Sequence, residues 1–221
     1  MQLIQTNGTV GDYNYLVLAG IYLGSACLAD QSKSGVGPVR GTKNITVHGL
    51  WPENPDRTYP ECCVLDYPFN ASELDGIDDL TKYWVSTKGK DNNFYSHEWE
   101  THGVCSLDLF PSEKKFFSAV VKMMKRVNLD AILQSAHITP GPQQQSKDAV
   151  KQALKKGLGA DVALQCEIVN GIRLLSNIYF CVDHTQELPI TKCSQDFLQD
   201  YEKSCPDSFV MPEVPDQCYR S

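Results

Sequence analysis

Apolar positions along this chain fall into continuous runs and helically spaced runs, and the predicted elements follow from that difference. Tyr13–Leu23 is almost unbroken aliphatic and aromatic sequence, which predicts a buried strand. Asn44–Trp51 (NITVHGLW) predicts a shorter strand that runs into Pro52, with a polar loop between the two. Leu16–Ala29 (LVLAGIYLGSACLA) resembles a signal-peptide core ending in small residues, but Asp12 and no basic residue precede it, so the buried-strand reading stands. The spaced runs begin at Ser72, which opens a predicted helix with Asp75 in its first turn and Leu74, Ile77, Leu80 and Trp84 at helical spacing. Asn93–His102 is expected to be helical, closed by Gly103 in a left-handed conformation. Ser112 caps a helix whose apolar face carries Phe116, Val120, Met123, Met124 and Val127. Shorter helices are expected over Leu129–His137 and Ser146–Lys156. Val162–Val169 and Ile172–Val182 read as strands joined by Asn170-Gly171, a two-residue hairpin signal. The sum is an α+β fold with an antiparallel β-sheet core packed with several α-helices.

Composition narrows this picture. Nothing in the 221 residues reads as a Pro/Gly/Ser-rich linker, so one domain over residues 1–221 is expected. Twenty basic residues against 27 acidic ones, net −7, exclude a protein that coats nucleic acid by neutralising phosphates. Any nucleic-acid partner is met at a local site. Nine cysteines without paired CxxC spacing point to disulfides and an oxidising compartment, not to structural zinc. Sequons at Asn7, Asn44 and Asn70 agree, and all three are candidate glycosylation sites. No apolar run reaches the ~18 residues of a membrane span. Met1 is read as standing where a signal peptide has been removed, so a secreted protein, or one of a lysosomal or vacuolar lumen, is expected.

Three of the five histidines lie in two short aromatic segments, His48 in HGLWP and His97 with His102 in HEWETHGVC. H-E-x-x-x-H differs from the zinc-peptidase H-E-x-x-H. At about 100° per residue, five positions set His97 and His102 roughly 140° apart, too far round a helix to share an ion. No metal and no cofactor are expected. Glu98 and His102 are four apart and share a helix face, with His97 flanking them. A carboxylate beside an imidazole raises its pKa and stabilises positive charge. With His48 folded opposite, two imidazoles would suit a reaction that removes one proton and delivers another. His137 and His184 lie outside both segments and are read as structural, as is Trp99, whereas Trp51 could serve either core or site.

HGLWP followed about fifty positions later by HEWExHGxC resembles the two active-site segments of the ribonuclease T2 family, and the likeness extends through YLVLAG, QCEIV and IYFCVD. The resemblance implies cleavage of single-stranded RNA by transphosphorylation, leaving a 2′,3′-cyclic phosphate for later hydrolysis. By that resemblance His102 takes the 2′-OH proton and His48 protonates the departing 5′-oxygen. His97 binds the phosphate, Glu98 stabilises the phosphorane, and Trp51 lies against the phosphate or a base. DNA, without the 2′-OH, is excluded as substrate. The resemblance also implies pairing of Cys181 with Cys193, of Cys166 with Cys205 or Cys218, and of Cys105 with Cys62 or Cys63, the remaining one of that adjacent pair taking Cys27.

Three departures from the family pattern bear on activity. Thr101 stands where the family has Lys, and loss of that cation is expected to cost about one to two orders of magnitude in rate. Ile21-Tyr22-Leu23 replaces a Gln-Trp-Pro sequence that contributes to base binding, so Phe94 and Tyr95 become the candidates for stacking on a base. No cysteine precedes HGLWP to pair with Cys27. The competing reading is a secreted glycoprotein that binds a cell-surface receptor through its glycans on the same scaffold. In either case a monomer is expected.

Overall fold

The computed structural model describes residues 8–29, 42–64 and 66–219. The sequon at Asn7 lies outside the described residues.

A long strand, β5 (Ile172–Asp183), organises the sheet. It pairs antiparallel with β1 (Tyr15–Tyr22), with β4 (Ala163–Val169) and with the two-residue β6 (Ile190–Thr191). β2 (Ile45–Glu53) lies on the far side of β1. At Leu174, β5 also meets β7 (Ser208–Met211) in the one parallel pairing among the described residues, and β7 in turn pairs with β3 (Gly141–Ser146). The sheet is otherwise antiparallel, as expected. Asn170 (φ 52°) and Gly171 (φ 82°) both take positive φ in the β4–β5 turn, the conformation that makes Asn-Gly a hairpin signal.

β1 shows why its sequence is unbroken. Leu16 and Leu18 face the main core, while Tyr15, Val17 and Ala19 face a second cluster with Tyr179, Cys181 and Phe197. Both faces are covered, so the apolar positions do not alternate. The second face is covered by α7 (Gln195–Glu202), whose Ser194 cap accepts from Phe197 N at 3.2 Å. The first face carries α4 (Glu113–Val127), capped by Ser112, and α6 (Lys147–Leu158), capped by Ser146. α5 (Leu129–Ser135) ends two residues before the expected His137, which itself has φ 60°.

Two expected elements are corrected. The run Leu16–Ala29 is not one strand: at Leu23 it turns into α1 (Leu23–Ala29), buried from Leu23 to Cys27. Periodicity cannot separate a buried strand from a buried helix turn, and the C-terminal segment decides it. A Cβ at Gly24 would lie 2.0 Å from Pro212 O, and Cys27 is bonded to Cys218. The helix predicted from Ser72 is broken. Asn70 caps a 3₁₀ turn, Ala71–Leu74, after which Gly76 (φ 79°) and Asp79 (φ 64°) reverse the chain into a four-residue α2, Leu80–Tyr83.

Cys166 bonds Cys205, Cys181 bonds Cys193, and Cys105 bonds Cys63. Cys27 takes Cys218 instead of Cys62, which is left as the free thiol. Among the described residues no helix is long and apolar enough to cross a membrane.

Candidate active site

β2 delivers His48 and Trp51. The β1–β2 register steps from Ala19↔Gly49 to Gly20↔Val47, so His48 is the extra residue of a β-bulge. A bulge re-aims the side chain it carries, and here it turns the imidazole towards α3 (Asp91–Thr101). From α3 come Phe94, His97 and Glu98. His102 follows as the helix cap, with φ −116°, outside the regular helix.

The centre of the site is a hydrogen bond from Trp51 Nε1 to Glu98 Oε2, 2.9 Å. Glu98 Oε1 lies 3.9 Å from His48 Nε2, with the Glu98 side chain 2% exposed and that of His48 37% exposed. Trp51 packs against both imidazoles, its ring centroid 5.2 Å from His48 and 5.5 Å from His102. The geometry explains the glycine in HGLWP, since a Cβ at Gly49 would lie 2.1 Å from both Glu98 Oε2 and Trp51 Nε1. Gly103 likewise admits Trp99, whose Cε3 would lie 2.4 Å from its Cβ. Gly103 is therefore needed for close approach, and the expected left-handed conformation is corrected: it opens a 3₁₀ turn, Gly103–Ser106.

Burial dominates the electrostatics. Removed from water, Glu98 has its carboxyl pushed up to about 8, with the Trp51 donor opposing the shift. His102 is pushed down to about 3, by burial first and then by His97 and His48. His48 is lowered to about 4 by burial, by His97 and by Lys88, with Asn177 acting in the opposite direction. The carboxyl that pairs sequentially with His102 thus sits spatially against His48 and Trp51, and neither imidazole is raised by it.

Other candidates separate cleanly. His97 is exposed, its ring 6.5 Å from that of His102 and nearly perpendicular to it, with Thr101 Oγ1 3.4 Å from its Nδ1. Phe94 is half-buried, 5.8 Å from the His48 ring. Tyr95 is corrected: it is buried in the core, and its hydroxyl donates to Trp84 O at 2.7 Å, which leaves no face for a base. His184 stacks on Tyr13 and pairs with Asp108, while His137 is exposed. Among the described residues no group of three or more His, Cys, Asp or Glu side chains is arranged to hold a metal. Asn70 is exposed and Asn44 half-buried at the start of β2.

A pocket of about 260 Å³ adjoins His48, lined by Ile21, Thr87, Lys88, Gln165, Ser176 and Asn177 among others. Sequence reasoning missed the last five. No motif marks them, because they come from β4, β5 and a loop that only the tertiary fold brings to His48.

The chain is also similar to known proteins in sequence and in fold. The sequence model of the Ribonuclease T2 family matches residues 13–193. The chain is 29% identical to extracellular ribonuclease LE of Solanum lycopersicum over 189 residues, 82% of this chain and 81% of that protein. It is 29% identical to ribonuclease Oy of Magallana gigas over 222 residues, 93% and 99% of the two chains. The structure of RNase NT in complex with 5′-AMP superposes with a TM-score of 0.78 at 26% identity, covering 91% of this chain and 98% of that one. The chain belongs to the Ribonuclease T2 family.

Proposed function

We propose that this protein is a metal-independent endoribonuclease that cleaves single-stranded RNA by transphosphorylation through a 2′,3′-cyclic phosphate. The observation that carries the reading is the pair of imidazoles packed against the ring of Trp51, which donates to Glu98, with His48 partly open to solvent. His102 removes the ribose 2′-OH proton, the 2′-oxygen attacks phosphorus, and His48 Nε2 delivers a proton to the departing 5′-oxygen. The exposed His97 binds the phosphate. Glu98, holding its proton below about pH 8, donates a hydrogen bond to a phosphoryl oxygen as charge builds in the phosphorane. Phe94, beside His48, stacks on the leaving nucleoside. The 5′-AMP held by RNase NT supports a nucleotide ligand on this scaffold. Four disulfides and a relative named as extracellular support a secreted location.

Both imidazoles lie below the ordinary histidine range, so the acid His48 gains its proton only at low pH and activity is lost towards neutrality. Incubation of the protein with a short RNA and its 2′-deoxy analogue from about pH 4 to about pH 8, with chelator, tests the reading. The expected result is cyclic-phosphate ends from RNA alone, greatest at the acidic end and absent from His48→Ala/His102→Ala. Folded protein without cleavage at any pH overturns it. That outcome would favour the receptor-binding reading, which Thr101 in place of a cation supports.

A further inference from the structure

Beside His48, along the pocket that it lines with Gln165, Ser176 and Asn177, lies a polar network that the mechanism above does not use. Asn177 on β5 donates from Nδ2 to Gln165 Oε1 at 2.9 Å, and the same oxygen accepts from the Tyr179 hydroxyl at 2.6 Å. Ser176 Oγ gives its proton to Gln165 O at 3.0 Å, so towards Asn177 it can only accept, which it does from Nδ2 at 3.5 Å. Two independent acceptors therefore fix the Asn177 nitrogen on one side and turn its Oδ1 to the other. That Oδ1 is buried with no hydrogen-bond partner among the described residues, and so is His48 Nδ1. Both residues line the same pocket, and Asn177 is the hydrogen-bonding side chain beside the imidazole.

We propose that Asn177 is a positioning residue for His48, its amide oxygen accepting the Nδ1 proton so that Nε2 is the nitrogen presented to the substrate. Two buried polar atoms without partners are costly, and one bond between them removes both deficits. Such a bond selects the neutral tautomer with a bare Nε2, 3.9 Å from Glu98 Oε1. When His48 is charged, Nε2 carries the proton to be delivered, while the Asn177 dipole stabilises the imidazolium against burial, against His97 on α3 and against Lys88 in the loop before it. His102 and Glu98 complete the ionisable groups facing the ring. Gln165 and Tyr179 act one step further out, holding the amide in the only orientation that serves.

The inference rests on His48 as the acid, so its test has one arm independent of catalysis. In that arm ¹⁵N NMR of the labelled, full-length protein near neutral pH, where His48 is uncharged, is expected to show the Nδ1–H tautomer. The Nε2–H tautomer overturns the proposal whether or not the protein cleaves RNA. In the second arm, the upper limb of the kcat/KM pH profile is expected to move down by about one pH unit in Asn177→Leu and up by a similar amount in Asn177→Asp. In Asn177→Leu, kcat falls about tenfold with KM little changed. Folded variants whose limb stays in place, or which lose kcat equally whatever replaces Asn177, overturn it. Failure of Asn177→Leu to fold leaves the tautomer measurement to decide.

Discussion

His48 is aimed by an irregularity one residue long. Without the extra residue in β2, position 48 would pair regularly with β1 and its side chain would follow the alternation of the strand. Gly49 beside it is equally constrained, since any Cβ there strikes the Trp51–Glu98 bond. Gly49→Ala is therefore expected to reduce kcat/KM by about 10²-fold through displaced groups, with a lowered Tm in the same preparation. Glu98 stores a different cost. Its folded carboxyl is raised from 4.5 to about 8, so the stability it contributes is full below pH 4.5 and is lost as pH rises through 8. Glu98→Gln removes that penalty. Thermal melts of the variant are expected to match the parent near pH 4 and to lie above it at pH 8, while cleavage falls. His48 and His102, with lowered folded values, work in the opposite sense, costing stability as pH falls below the ordinary histidine range.

Among the elements, α7 has the clearest energetic role. Phe197 and Leu198 close the second face of the sheet, and the Arg57 guanidinium lies 4.7 Å from the Phe197 ring centroid. Phe197→Ala should cost about 3–5 kcal/mol and Ser194→Ala about 1 kcal/mol, read by urea unfolding. Equal midpoints for the two variants would show that α7 is held by its cap and not by its core face. The cap at Ser112, the Asn-Gly hairpin and the apolar face of α4 were legible in sequence because each acts over a few residues. α7 and β7 were not read. Gln143–Gln145 of β3 is polar sequence that becomes a strand only because Ser208–Met211 is present to pair with it, with Ser208 Oγ donating to Gln144 Oε1 at 2.8 Å. The helix at Ser72 failed for a local reason overlooked in its spacing: Asn70 offers its own side chain to Ser72 N, and Gly76 and Asp79 admit positive φ.

At the scale of the molecule, the disulfide Cys27–Cys218 joins residues 191 positions apart, tying α1 to the C-terminal segment. Replacing both cysteines by alanine is expected to lower unfolding free energy by roughly 2–5 kcal/mol. Cys62→Ala should change it by less than about 0.5 kcal/mol while abolishing reaction with a thiol reagent, and guanidinium titration under non-reducing conditions reads both. The sequence by itself determined the fold class, the hairpin, the helices that begin near Ser112 and Ser146 and, through HGLWP and HEWETHGVC, the candidate residues for the chemistry. These depend on local pattern and residue type, which a linear reading preserves. Only the tertiary structure decided that Glu98 would face His48 and Trp51 instead of its helical neighbour His102, that Tyr95 would be buried in the core, that Cys27 would reach Cys218, and that Asn177 and Gln165 would stand beside His48. Each of those outcomes depends on how β2, α3 and β5 pack against one another, and burial in that packing, more than any sequence neighbour, sets the proton affinities of the site.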